Sequence, residues 1–144
     1  MEGVMVVEGV GVSEDFMVER VRRRWVLLPC STDKPVRQEL ARTFNDDAIT
    51  KLVQLSEAVV TNYGSRAQVA ELIHEIRQNF EKWVEKDYEQ GDEVYVILTG
   101  GYLHIAETLR LLIKHGINHK WLVYERKLGR YAIIDSGHEV IKVV

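Results

Sequence analysis

The chain has 144 residues, 46% of them hydrophobic, which is enough for one contiguous core without metal or disulfide staples, so a single domain over 1–144 is expected. A formal charge of −3 and a pI near 6.0 exclude the basic field that holds a long nucleic acid by counterion release, so any nucleotide ligand is expected to be small and locally held. The lone cysteine, Cys30, ties nothing to an oxidising compartment, and no stretch approaches the roughly eighteen apolar residues of a membrane span. A cytoplasmic protein without a membrane partner is expected.

Residues 4–12 are rich in valine and glycine and read as an edge strand weakened by glycine, so 1–20 is either that strand or a poorly ordered start. Arg22, Arg23 and Arg24 read as a soluble basic flank before Trp25-Val26-Leu27-Leu28, a short apolar run that ends at Pro29 and is expected to be a buried strand. Ser31, Thr32 and Asp33 then offer helix caps. Pro35 suits a first helical turn, and a helix is expected over about 34–44.

For 47–61 the pattern supports two readings. Asn45-Asp46-Asp47 can cap a helix carrying Ile49, Leu52, Val53 and Leu55, while the β-branched run Ala58-Val59-Val60-Thr61 reads as a strand. From Ser65 onward, Val69, Leu72, Ile73, Ile76, Phe80, Trp83 and Val84 recur at steps of three and four. They predict a long amphipathic helix over one face of a sheet, with His74 on its solvated side.

Residues 94–98 are almost continuously apolar, as in a central strand covered on both faces. Thr99-Gly100-Gly101 follows directly, and Leu103, Ile105, Ala106, Leu109, Leu112 and Ile113 keep helical spacing until Gly116. The chain then alternates strand-like runs at 121–124, 131–134 and 140–143 around a turn at 126–129. A C-terminal β-meander, at least partly antiparallel, closes the sheet. The expected fold is α/β, a three-layer Rossmann-like domain.

Chemistry is expected at the strand-to-helix turns. A helix start presents free backbone N–H groups with partial positive charge, and glycines let an anion approach them closely, so Thr99, Gly100, Gly101 and Tyr102 form the first candidate for binding phosphate or carboxylate. Ser31 and Thr32 follow the first buried strand and face the same crevice if the two strands are neighbours, with Lys34 in reach of an anion there. His104, in the first turn of its helix, is a candidate proton donor near neutral pH. Arg126, beside the Leu128-Gly129 turn, is a candidate phosphate clamp. His115, His119, Glu125, Asp135 and His138 form a conceivable set of metal ligands, but their spacing matches no metal signature, so neither a metal nor another cofactor is expected.

The stretches 96–104, 121–129 and 131–136 resemble the small Csx-type CRISPR-associated proteins and the wider CARF-like group, over roughly the last third of the chain. The tyrosine-acid-basic-Leu-Gly hairpin of that family corresponds to Tyr124-Glu125-Arg126-Lys127-Leu128-Gly129, with glutamate in place of the family's aspartate. The resemblance implies a homodimer that binds cyclic oligoadenylate, cyclic tetra-adenylate foremost, in a pocket containing Thr99, Gly100, Gly101 and the Ser31-Thr32 turn. It further implies metal-independent cleavage of that ring, as a ring nuclease that switches off type III CRISPR signalling. His104, Lys34 and Arg126 are its candidate catalytic groups. Two other readings stand beside it, a sensor that binds the same ligand without cleaving it and a metal-dependent phosphodiesterase.

Overall fold

Alternation along 23–28 places Trp25 and Leu27 on one face of the first strand and Val26 and Leu28 on the other, and both faces are buried. The computed structural model describes residues 22–57 and 64–135, and the backbone of 140–142. The elements run β1 (Arg23–Leu28), α1 (Val36–Thr43), β2 (Ile49–Gln54), α2 (Arg66–Lys86), β3 (Glu93–Ile97), α3 (Tyr102–Lys114), β4 (Lys120–Glu125), β5 (Arg130–Ile134) and β6 (Val140–Lys142). The expected early strand at 4–12 and the alternative strand at 58–61 lie outside the described residues.

One six-stranded mixed sheet has the order β2-β1-β3-β4-β5-β6. β2, β1, β3 and β4 are parallel, whereas β5 and β6 add antiparallel. Val36 and Leu40 of α1 pack with Val26, Leu28, Tyr95, Ile97 and Leu122 on one face. Leu72, Ile76, Phe80 and Trp83 of α2 pack with Leu111 and Leu112 of α3 against Trp25, Leu27, Val94 and Val96 on the other. This is a mixed α/β fold in three layers. Burying a side chain such as Phe80 or Ile76 contributes about 1.5–3 kcal/mol over leaving it in water.

Two expectations are corrected by packing. Residues 49–54 form an edge strand rather than a helix, paired to β1 from Arg23↔Ile49 to Leu28↔Gln54. Among the described residues it pairs on one side only and is half-exposed, which is why its hydrophobic pattern is blurred. The arginine triplet is also more than a flank, because Arg24 lies inside β1 and is 2% exposed. Its Nη2 donates to Asp46 Oδ2 at 2.6 Å and its Nε to Glu93 Oε1 at 3.2 Å, while the guanidinium lies 3.8 Å from the centre of the Phe44 ring. Burial works against the charge of Arg24, but the hydrogen bond to Asp46 and the charges of Glu93 and Asp46 outweigh it and raise its pKa.

From β1 the chain leaves through α1 toward one edge, and from β3 it leaves through α3 toward the other. Loops that diverge in this way open a crevice at the carboxyl ends of the two strands.

Candidate functional site

On the α1 side of that carboxyl edge lies a cleft of about 290 Å³. The loop after β1 supplies Thr32 and Lys34, α1 supplies Val36 and Glu39, and the end of β3 supplies Ile97, Leu98 and Thr99. Val123, Tyr124, Arg126 and Tyr131, from β4, the hairpin turn and β5, form the opposite wall. Lys34 and Arg126 are exposed, while Glu39 and Tyr131 are each only 5% exposed. The cleft therefore has two cations at its mouth and a buried carboxylate and phenol at its inner end.

The hairpin wall is tied to α1 by three hydrogen bonds. Arg42 Nη1 donates to the Gly129 carbonyl at 2.8 Å, the Tyr131 backbone N–H to Thr43 Oγ1 at 2.9 Å, and Tyr131 Oη to Glu39 Oε1 at 2.9 Å. Burial first, and then the hydrogen bond to Glu39 and its charge, hold the Tyr131 phenol well above its ordinary pKa, so it remains a donor. Tyr124 meets the Tyr131 ring edge-on, with centroids 5.6 Å apart. Its own ring is half-exposed at the cleft.

Four residues singled out from the sequence, Thr32, Lys34, Thr99 and Arg126, meet in this cleft. Ser31, Gly100, Gly101, Tyr102 and His104 are not among its lining residues. The cap expected from Ser31, Thr32 or Asp33 is also absent. Pro35 occupies the N-cap of α1 without a side-chain hydrogen bond, and Thr32 Oγ1 instead accepts from the Lys34 N–H at 3.2 Å.

The glycine turn has a packing reason for its sequence. Gly100 has φ +99°, and a Cβ placed on it would lie 2.1 Å from Cys30 Sγ. The small residue thus lets the end of β3 pass the cysteine at the end of β1. Burial raises the pKa of that thiol, opposed by a backbone hydrogen bond from Gly101, so the sulfur that fills the turn is a neutral thiol.

His104 is 0% exposed, which corrects the expectation that it faces a ligand from an open helix start. The face of α3 carrying His104, Glu107, Thr108 and Leu111 is turned inward, and Arg77 of α2 pairs with Glu107 at 2.8 Å. Tyr102 is 78% and Ile113 72% exposed on the other side.

Among the described residues, the members of the conceivable metal set do not come together. His119 precedes the first residue of β4 and Glu125 is its last, so an extended strand separates them by about 20 Å. His115 Nε2 is engaged by Glu81 Oε2 at 3.0 Å, and His138 lies outside the described residues. Among the described residues no group of three or more His, Cys, Asp or Glu side chains is placed to hold a metal ion.

Glu39 and Tyr131 were not singled out from the sequence, although a signal existed for Glu39. It falls with Val36, Leu40 and Thr43 on the three-four spaced face that α1 buries, and a carboxylate on such a face calls for a partner or a ligand.

Compared with known proteins, the chain matches no family model, no curated protein and no solved structure. Among the described residues no helix is long and apolar enough to cross a membrane.

Proposed function

We propose that the cleft binds the phosphates and one base of a cyclic oligoadenylate and that a homodimer of this Rossmann-like, CARF-like protein cleaves the ring without a metal. The convergence of Lys34 and Arg126 on one cleft beside the Thr32 and Thr99 hydroxyls carries the reading. Two cations and two hydroxyls suit a phosphodiester, and the half-exposed Tyr124 ring offers a surface for a base. The choice of a cyclic adenylate comes from the Csx-type resemblance of 96–104, 121–129 and 131–136.

In the cleavage step the ligand's 2′-oxygen attacks the adjacent phosphorus and the bond from phosphorus to the 5′-oxygen breaks. The products are a 2′,3′-cyclic phosphate and a 5′-hydroxyl, with the proton passing from the attacking oxygen to the leaving one through water. Lys34 and Arg126 stabilise the developing phosphate charge. The fully buried His104 is given no part in proton transfer.

The burial of His104 favours one second reading, a sensor that binds without cleaving, because the two exposed groups at the mouth are both cations. In either case Lys34→Ala and Arg126→Ala are each expected to weaken binding of cyclic tetra-adenylate at least tenfold, about 1.4 kcal/mol, and to flatten its salt dependence. Isothermal calorimetry at two salt concentrations measures this. Affinities equal to that of the unaltered protein remove the cleft from the account.

A further inference from the structure

We propose that Glu39, oriented by Tyr131, is the acceptor that selects the base of the ligand by requiring an amino group on the edge that enters the cleft. This rests on the reading of the cleft as a nucleotide site. The polarity of the cleft fixes which end of a nucleotide goes where. Its cations, Lys34 and Arg126, are exposed at the mouth, and its one carboxylate is buried at the inner end. A phosphate driven inward would meet Glu39 in a poorly solvated place, so the phosphates stay at the mouth and the flat, uncharged base goes in.

At the inner end the hydrogen-bonding demand is set by Tyr131. Its Oη donates to Glu39 Oε1 at 2.9 Å, which fixes the carboxylate and leaves Oε2 with no side-chain or backbone donor among the described residues. A carboxylate only accepts. A base that presents an N–H₂ group satisfies it, whereas a base that presents a carbonyl there sets oxygen against oxygen. Adenine is such an amino-bearing base, and hypoxanthine is the same ring system with a carbonyl in place of the amino group.

The test compares equilibrium binding of cyclic tetra-adenylate and of its hypoxanthine counterpart, cyclic tetra-inosinate, to the full chain and two variants. The unaltered protein is expected to prefer the adenine ring at least tenfold. Glu39→Gln keeps an acceptor for Tyr131 and turns an amide N–H₂ toward the base, so the preference is expected to vanish or reverse. Tyr131→Phe leaves the carboxylate without its orienting donor, and the preference is expected to shrink at least threefold even if the Gln variant does not fold. Equal binding of both rings by the unaltered protein, or a preference undiminished in both variants, overturns the role of Glu39 and leaves the phosphate-binding cleft standing. Failure of the unaltered protein to bind either ring overturns the nucleotide reading itself.

Discussion

At the turn after β3, Gly100 combines a left-handed backbone with contact to the buried Cys30 side chain. Either feature alone disfavours a Cβ, and together they predict that Gly100→Ala costs roughly 2–4 kcal/mol. Cys30→Ala in the same chain is expected to restore part of the loss by removing the sulfur, while the strain of the positive φ remains. Urea unfolding of the two single variants and the double variant measures both contributions. A Gly100→Ala protein within about 0.5 kcal/mol of the parent would contradict the packing account.

Residue-scale chemistry was only partly legible in the sequence. Lys34, Thr32, Thr99 and Arg126 stood out as polar groups at strand ends, and strand ends are what the sheet gathers. The glycine pair also stood out, yet its surroundings could not be seen, because the reason for Gly100 lies in Cys30, some seventy residues earlier.

Individual elements were legible where hydrophobic period and capping agree. The helix expected from Ser65 onward has that serine as its N-cap, accepting from the Gln68 N–H at 3.2 Å, and its buried face is the three-four spaced series Leu72, Ile76, Phe80 and Trp83. β2 was ambiguous because an edge strand buries too little to impose alternation. α3 was placed correctly but rotated wrongly: its inner face pairs charges with α2 while Tyr102, Ala106 and Ile113 lie exposed and Ile105 and Leu109 half-buried.

Leu109 packs on the core, while Tyr102, Ile105, Ala106 and Ile113 leave an apolar patch along the outer side of α3, and the proposed homodimer gives it a second copy to pack against. Ile113→Asp is therefore expected to convert a dimer to a monomer in light scattering and to leave the folded monomer's circular dichroism unchanged. A parent chain that is monomeric at every concentration tested would contradict the dimer.

For the whole molecule, ion pairs gather at the amino ends of the parallel strands and the candidate cleft opens at their carboxyl ends. Asp46, Asp92 and Glu93, at the amino ends, and Glu107, paired with Arg77 and Arg110, all have lowered pKa values. For Asp46 and Glu107 the largest cause is an arginine hydrogen bond. For Asp92 and Glu93 burial opposes the shift and is outweighed, by the Trp25 and Arg23 hydrogen bonds and by Arg22 and Arg24, respectively. Each of these carboxylates binds fewer protons folded than unfolded, so their contribution is full above the unfolded value near pH 4 and is lost as the pH falls below it.

Tyr88, Tyr95 and Tyr131 are raised, chiefly by burial, and their contribution is full below about pH 10 and lost above it. Stability measured by urea midpoints is expected to be flat from about pH 5 to pH 9 and to fall on both sides, with a shallower alkaline limb in Tyr131→Phe. A midpoint that rises on acidification below pH 4 would contradict the network. The charge pairing across the sheet was not visible in the sequence, where Arg24 and Glu93 lie far apart and only the parallel register of β1 and β3 brings them together.

The proposed function requires that the cleft hold a cyclic oligoadenylate and that the protein cleave it without a metal. Incubation of the full chain with cyclic tetra-adenylate, with and without a chelator, followed by chromatography tests it most directly. Linear di-adenylate bearing a 2′,3′-cyclic phosphate, formed at the same rate in both tubes and at least tenfold more slowly by the Lys34→Ala, Arg126→Ala double variant, is the predicted result. A ring that survives intact contradicts cleavage, and one that also fails to comigrate with the protein contradicts the ligand.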